Sequence, residues 1–330
     1  MLPQQPSSAK SPDAFEQFVW DCVSLRPLHS LWDLQGVPLR VIAKRTWTSM
    51  LNDNLFGSAA ELGYWFLFAL FPTLVSASSL LAISVQHTAG SYDRLLRYLA
   101  VVLPPSAFST VLATFNQIMK ASNGQKAGFG LLMAIWAASA GFSAIQDAMN
   151  VVYKVKSTTA YWKVRGAAVL ISVVLSMIVT ATFASLLAAD YFARLAHLHI
   201  YHHPVAVIWA ALFRVAGWIV ATGLMIFLFA TIYYWGPDVK KRQWRWLTPG
   251  SALGVVGSLL VSFGLRAYLH FFNSYTATYG SLGAVIILMT WFYLTGFMLL
   301  LGAEVNSEIE AAAIEKRVAE RCELPTAKAA

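Results

Sequence analysis

Residues able to do chemistry are sparse in this chain, so those that interrupt long apolar runs are weighed first. Glu61 opens one such run, Asp147 with Asn150 closes another, and Glu304 with Asn306 closes the last. Arg214 and Arg266 fall within two more. An ionisable group at membrane depth is costly, and it marks a solute path, a proton relay or a structural ion pair. Carboxylates at these places can carry protons, while guanidinium groups hold carboxylate or phosphate in a fixed fork. The run HLHIYHH adds His197, His199, His202 and His203. Imidazoles so spaced suit a metal or a pH response, but no cysteine or second cluster joins them, so no metal site is expected. No nucleophile–base pair is visible either, and the chain is expected to be neither an enzyme nor the holder of a cofactor.

Each candidate has a plainer explanation beside it. Ser58-x-x-Glu61 fits a capping box at a helix start, a role that can coexist with a site. Asp147 stands near a helix C-terminus, where the dipole disfavours an anion, unless Lys154 or Lys156 pairs with it. Glu304 belongs to a helix that is expected to continue through Glu308, Glu310, Ala311 to Ala313 and Glu315. Arg214 falls roughly 13 Å into its helix at 1.5 Å per residue, a depth that calls for an ion pair or a wet cavity. Arg266, nearer a helix end, can snorkel. Pro72 interrupts a helix and is a candidate kink or gate, as are Gly280 and Gly283 at the start of the last apolar run.

The elements that must position these groups follow from composition. Of 330 residues, 58% are hydrophobic and 12% charged, about half the charged share of a soluble domain. A soluble fold with this composition would expose large apolar patches, so lipid is the expected solvent. Six segments reach the roughly 20 residues a spanning helix needs, near 59–85, 127–149, 166–189, 205–233, 248–272 and 280–304. The fold class is therefore all-α, a polytopic membrane protein of six transmembrane helices with amphipathic interfacial helices. One of these is 38–53, with Leu39, Ile42, Trp47 and Met50 among basic residues, as on an anionic leaflet. The other carries Phe108, Val111, Leu112, Phe115, Ile118 and Met119 at helical spacing. Residues 1–37 form a polar, partly disordered N-terminal region, 38–310 the membrane domain and 311–330 a tail. Cys22 and Cys322 have no metal or disulfide pattern and are expected to be incidental thiols. The small-residue run AASAGFSA (137–144), with Gly217, Ala221, Gly254 and Gly257, calls for close helix contacts.

The net charge of +8 raises the question of nucleic acid, but the basic residues cluster between apolar runs, as membrane topology requires. Lys and Arg concentrate in the N-terminal region, in the second loop (Lys154, Lys156, Lys163, Arg165), in the fourth (Lys240, Lys241, Arg242, Arg245) and in the tail. The opposite side holds only Arg94, Arg97, Lys120, Lys126 and Arg194. Both termini are thus expected in the cytoplasm. The expected partners are the bilayer and an anionic or amphipathic substrate, not nucleic acid, and a homo-oligomer is compatible with this composition.

Four blocks of sequence carry a resemblance: AAELGYWFLFALFP (59–72), GFSAIQDAMNVVYKV (141–155), WRWLTPGSALG (244–254) and YGSLGAVIILMTWFYLTGFMLLLGAEVNSEIE (279–310). Together they resemble the YihY/BrkB family of bacterial inner-membrane proteins across about residues 38–310. The resemblance implies six helices in the bacterial cytoplasmic membrane and a link to envelope integrity, stress or serum resistance. Some members have carried the name ribonuclease BN. Nothing in these residues supports that name, since a His-x-His-x-Asp-His cluster is missing and carboxylates are too few for a two-metal nuclease. The functional expectation is a transporter or flippase of an anionic or amphipathic substrate, with Glu61, Asp147 and Glu304 converging at the cytoplasmic end beneath Arg214. The alternative is a non-transporting envelope scaffold or stress-resistance protein.

The loop charges generate a test of orientation. Cysteine at Ser157 should resist an impermeant thiol reagent in intact spheroplasts, and cysteine at His199 should react. The opposite labelling pattern would invert the topology.

Overall fold

The computed structural model describes residues 12–25, 31–32, 37–84, 108, 112–113, 117, 124–155, 161–199, 203–241, 243–271 and 281–327. Among the described residues every regular element is a helix. The elements are α1 (Pro12–Leu25), α2 (Leu39–Asn52), α3 (Leu55–Ser84), α4 (Gly124–Val152), α5 (Tyr161–His199), α6 (His203–Trp235), α7 (Pro249–Phe271) and α8 (Ser281–Ala327). From α3 to α8 each helix packs on the next, and α8 returns to α3, closing a ring. α8 also touches α4 across the ring and carries α1 and α2 on its flank. α8 is thus the hub of the fold.

Five helices, α4 to α8, are long and apolar enough to cross a membrane. The remaining expected span falls on α3, which runs 30 residues and has a described apolar stretch of Leu55–Leu70. Its backbone stays helical through Pro72. α5 has 39 residues, about 58 Å at 1.5 Å per residue, well beyond a hydrocarbon core of roughly 30 Å. The hydropathy of the sequence drops at Asp190 and Arg194, yet the helix continues. Ala and Leu favour it there, and Arg194 bonds Asp190 one turn back at 3.1 Å. Of the expected second amphipathic helix, only residues 108, 112, 113 and 117 are described.

α2 forms, but its apolar stripe does not all face outward. Ile42, Thr46 and Met50 are buried on the side that meets α8, whereas Leu39 and Trp47 are exposed. Arg45 fastens this contact, donating to Glu308 at 2.7 Å and gripping Glu315 with two bonds of 2.6 and 3.0 Å. Burial works against the Arg45 charge, but the bonds to Glu315 and Glu308 outweigh it and push the guanidinium pKa above its ordinary value. Ser49 adds a bond to Glu308 at 2.6 Å. In the N-terminal region, α1 buries Val19, Trp20, Cys22 and Val23, a helical stripe that joins the main core. Cys22 is thus a core residue. The α1 end is held where Ser24 accepts N–H bonds from Lys240 and Lys241, both at 3.0 Å.

The joint between α7 and α8 is polar and fully buried. Thr248 and Ser251 cap the start of α7 reciprocally, each side chain accepting the other's backbone N–H at 2.9–3.0 Å. Pro249 takes the first helical position, where no N–H is required. The Gly250 N–H then donates to Asn306 Oδ1 at 2.9 Å, and Asn306 Nδ2 donates to Thr248 Oγ1 at 3.0 Å. A Cβ on Gly250 would stand 1.9 Å from the Gly302 carbonyl oxygen, so only glycine lets the helices approach this closely. The other expected small-residue contacts form as well: a Cβ on Gly217 of α6 would meet Ala189 of α5 at 2.3 Å.

Asn306→Ala leaves the buried Gly250 N–H without its acceptor, and should cost about 1–3 kcal/mol. Gly250→Ala should also lower the unfolding temperature in detergent, by forcing α7 off α8. Leu260→Ala, on an exposed face of α7, should leave it nearly unchanged. Thermal unfolding of the three variants checks the ranking.

Candidate functional site

A cleft of about 710 Å³ opens between α3, α4 and α5. Its floor is one face of α4: Leu132, Ile135, Trp136, Ser139, Ala140, Ser143, Ala144 and Asp147 recur at helical spacing. α3 contributes Glu61 and Trp65, one turn apart, and α5 contributes Trp162, Arg165 and Val169. The volume exists because the middle of the floor is Ser, Ala, Ser and Ala. The run AASAGFSA therefore has two roles, with Ala137 and Phe142 packing inward while Ser139, Ala140, Ser143 and Ala144 leave space along the cleft.

The cleft is graded along its length. Leu132 and Asp147 are 15 residues apart on α4, about 22 Å along the helix axis. One end is apolar and aromatic, where Trp65 and Trp136 each pack edge-on against Phe68. The other end holds Glu61, Asp147 and Arg165, each one to two turns from its helix terminus on the same side of the bundle, with Trp162 at the start of α5 beside them. Between the two ends the serines satisfy themselves, Ser139 donating to the Trp136 carbonyl at 2.7 Å and Ser143 to the Ser139 carbonyl at 3.0 Å. Ser143 Oγ also accepts a bond from Arg165 at 3.3 Å. Glu61 and Asp147 are near enough for their charges to interact. Neither has a hydrogen bond or an opposite charge in contact among the described residues.

The capping explanation of Glu61 does not hold. α3 begins at Leu55, after Asn54 turns the chain with φ at 51°, and the Ser58 N–H bonds the Asn54 carbonyl at 3.1 Å. Ser58 is thus already inside the helix, and Glu61 is carried into the cleft instead. Asp147 does not receive Lys154, which pairs with Asp53, and Lys156 lies outside the described residues. Asn150 is occupied elsewhere, its Oδ1 accepting the Asp238 N–H at 2.8 Å and so tying the loop after α6 to α4. Asn306 is the α7 anchor already described.

Glu304 and Arg214 stand apart from this cleft, so the expected convergence is only partly realised. Glu304 is completely buried on α8, among charges from Asp53, Glu308 and Lys154, and neither carboxyl oxygen has a hydrogen-bond partner among the described residues. Arg214 is exposed on α6 and faces Asp190 at 3.8 Å. It precedes Trp235 by 21 residues, about 31 Å along the helix, nearly the thickness of a hydrocarbon core. Arg214 faces α5 through Asp190 and does not line the cleft. Arg266 is half-buried on α7, Gly283 is buried at the start of α8, and Gly280 lies outside the described residues. His202 also lies outside them, while His197 and His199 end α5 and His203 begins α6. Among the described residues no three His, Cys, Asp or Glu are placed to hold a metal.

Arg165, Trp65, Trp136, Trp162, Ser139 and Ser143 were not singled out from sequence as site residues. Arg165 reads there as one more loop charge, and the serines read as packing residues. The periodic signal was present, since Ser139, Ser143 and Asp147 follow one another at intervals of four.

The model of a family described as virulence factor BrkB matches residues 46–324. A ribonuclease-like protein YfkH of Bacillus subtilis (strain 168) is 32% identical over 252 residues, covering 76% of this chain and 88% of that protein. A UPF0761 membrane protein of Stenotrophomonas maltophilia (strain K279a) is 27% identical over 273 residues, 80% of this chain but 60% of its own length. A similar UPF0761 membrane protein of Xanthomonas oryzae pv. oryzae is 25% identical over 267 residues, again with 60% of its length matched. No solved structure matches this chain.

Proposed function

Since the chain belongs to the virulence factor BrkB family of membrane proteins, we propose that it is a transporter or flippase whose amphipathic substrate enters the cleft between α3, α4 and α5. The observation that carries this reading is the grading of the cleft, with aromatic and aliphatic walls at one end and three charged side chains at the other. An amphipath has the same order along its length. In this reading α3 is the sixth crossing, both termini lie in the cytoplasm of a bacterial cytoplasmic membrane, and the charged end of the cleft faces inward. The loop charges support that orientation. The buried Glu304 beside the Asp53–Lys154 pair is the group best placed to take up a proton when substrate moves. Function then supports envelope integrity through the composition of the membrane.

A non-transporting scaffold is the second reading, favoured by the rigid joint of Asn306, Thr248 and Gly250 between α7 and α8. Reconstitution separates the two. Liposomes containing the protein should move fluorescent phospholipid between leaflets. Ser143→Trp, which fills the cleft, should slow that movement about tenfold, a barrier change of ~1.4 kcal/mol. Leu260→Trp on the exposed face of α7 should not. A folded protein that moves no amphipath from a broad panel would leave the scaffold ahead.

The name of the Bacillus relative does not transfer in this proposal. Purified protein should leave structured and single-stranded RNA intact in Mg²⁺, Mn²⁺ or Zn²⁺. Cleavage that survives further purification and disappears with a point substitution in this chain would overturn that expectation.

A further inference from the structure

The charged end of the cleft carries more information than its polarity. Two carboxylates, Glu61 and Asp147, and one guanidinium, Arg165, line the same end of a space open to a ligand. Arg165 spends one N–H on Ser143, and its other donors have no protein partner among the described residues. A wholly anionic headgroup would find one cation and two like charges there, and close like charges are repulsive. A cationic amphipath would balance the summed charge but bring no acceptor to the guanidinium, which neither carboxylate contacts. A headgroup bearing both signs answers all three side chains.

We propose, resting on the reading of this cleft as a substrate path, that it selects a zwitterionic amphipath with a phosphate and a primary ammonium, namely an aminophospholipid such as phosphatidylethanolamine. The phosphate meets Arg165, whose planar fork matches phosphate oxygens. The ammonium lies between Glu61 and Asp147 and donates to both. A primary ammonium has hydrogens for these acceptors, and a quaternary ammonium has none. The acyl portion follows the floor of α4 towards Ala140, Trp136 and Leu132, the direction in which the lining turns apolar.

The test reads binding separately from transport. Delipidated full-length protein is titrated with phosphatidylethanolamine, phosphatidylcholine or phosphatidylglycerol, and retained lipid is counted by native mass spectrometry. Phosphatidylethanolamine should be retained about tenfold better than phosphatidylglycerol. Glu61→Gln with Asp147→Asn, near-isosteric changes, should erase that preference, and Arg165→Gln should weaken retention of both lipids. Unfolding temperatures matching the unsubstituted protein exclude a folding defect. Equal or stronger retention of phosphatidylglycerol, a preference for phosphatidylcholine, or a preference that survives the double substitution overturns the inference. Selective retention without lipid movement in liposomes removes the transport reading and leaves the site. Movement of lipids without headgroup preference does the reverse, and neither retention nor movement removes both.

Discussion

Polar groups buried on α8 must find partners, and much of the bundle is arranged around that requirement. Between positions 304 and 310 the helix buries Glu304, Asn306, Ser307, Glu308 and Glu310 almost completely. A buried charge or amide left unanswered costs several kcal/mol, so Asn306, Glu308 and Glu310 recruit their surroundings, while Glu304 has no hydrogen-bond partner among the described residues. Asn306 takes the start of α7, Glu308 takes Arg45 and Ser49 from α2, and Glu310 meets Arg245 of the loop after α6 at 2.5 Å. α1 closes over the same region through Val19, Cys22 and Val23. What reads as a helix leaving the membrane for water is an axle to which four segments are fixed.

A bundle held so firmly at α8 leaves its opposite side freer to vary. α4 reaches α8 across the ring, but its other face looks between α3 and α5, and there the contact residues are small. Large side chains at Ser139, Ala140, Ser143 and Ala144 would fill the gap between helices. Small ones leave a cleft whose walls are set by the tryptophans of three helices. The separation of roles is physical. Close packing at Gly250 and Gly302 makes the joint, while the short side chains of Ser139, Ala140, Ser143 and Ala144 along the cleft floor make the space.

Glu304 belongs to the first of these regions and Glu61 with Asp147 to the second, although all three stand near the same end of the bundle. Lys154 explains part of the partition. It follows the end of α4 with φ at 51° and turns back to Asp53 at the α2–α3 junction, so its charge is spent beside Glu304 and not on Asp147.

Much of this protein was legible in its residues. Composition and the length of apolar runs dictate helices in lipid, because no other solvent accepts so much apolar surface and so few charges. The blocks from 59 to 310 pointed to the family, and AASAGFSA to a central helix. Asn306 and Thr248 were readable as polar residues at helix ends, but not as partners, because they are far apart in the chain and meet only when α7 and α8 pack. The same holds for Arg45 with Glu308, and for Arg165 with Ser143. Hydrophobic periodicity says which face of a helix avoids water or lipid, and it is silent on which neighbour that face meets. Arg214 shows the limit from the other side: the sequence marks it as a charge within an apolar run, and only the packing of α5 on α6 shows that it faces Asp190. Local chemistry determined the helices and the solvent; the order of packing around α8 decided which charges are spent on structure and which remain in the cleft.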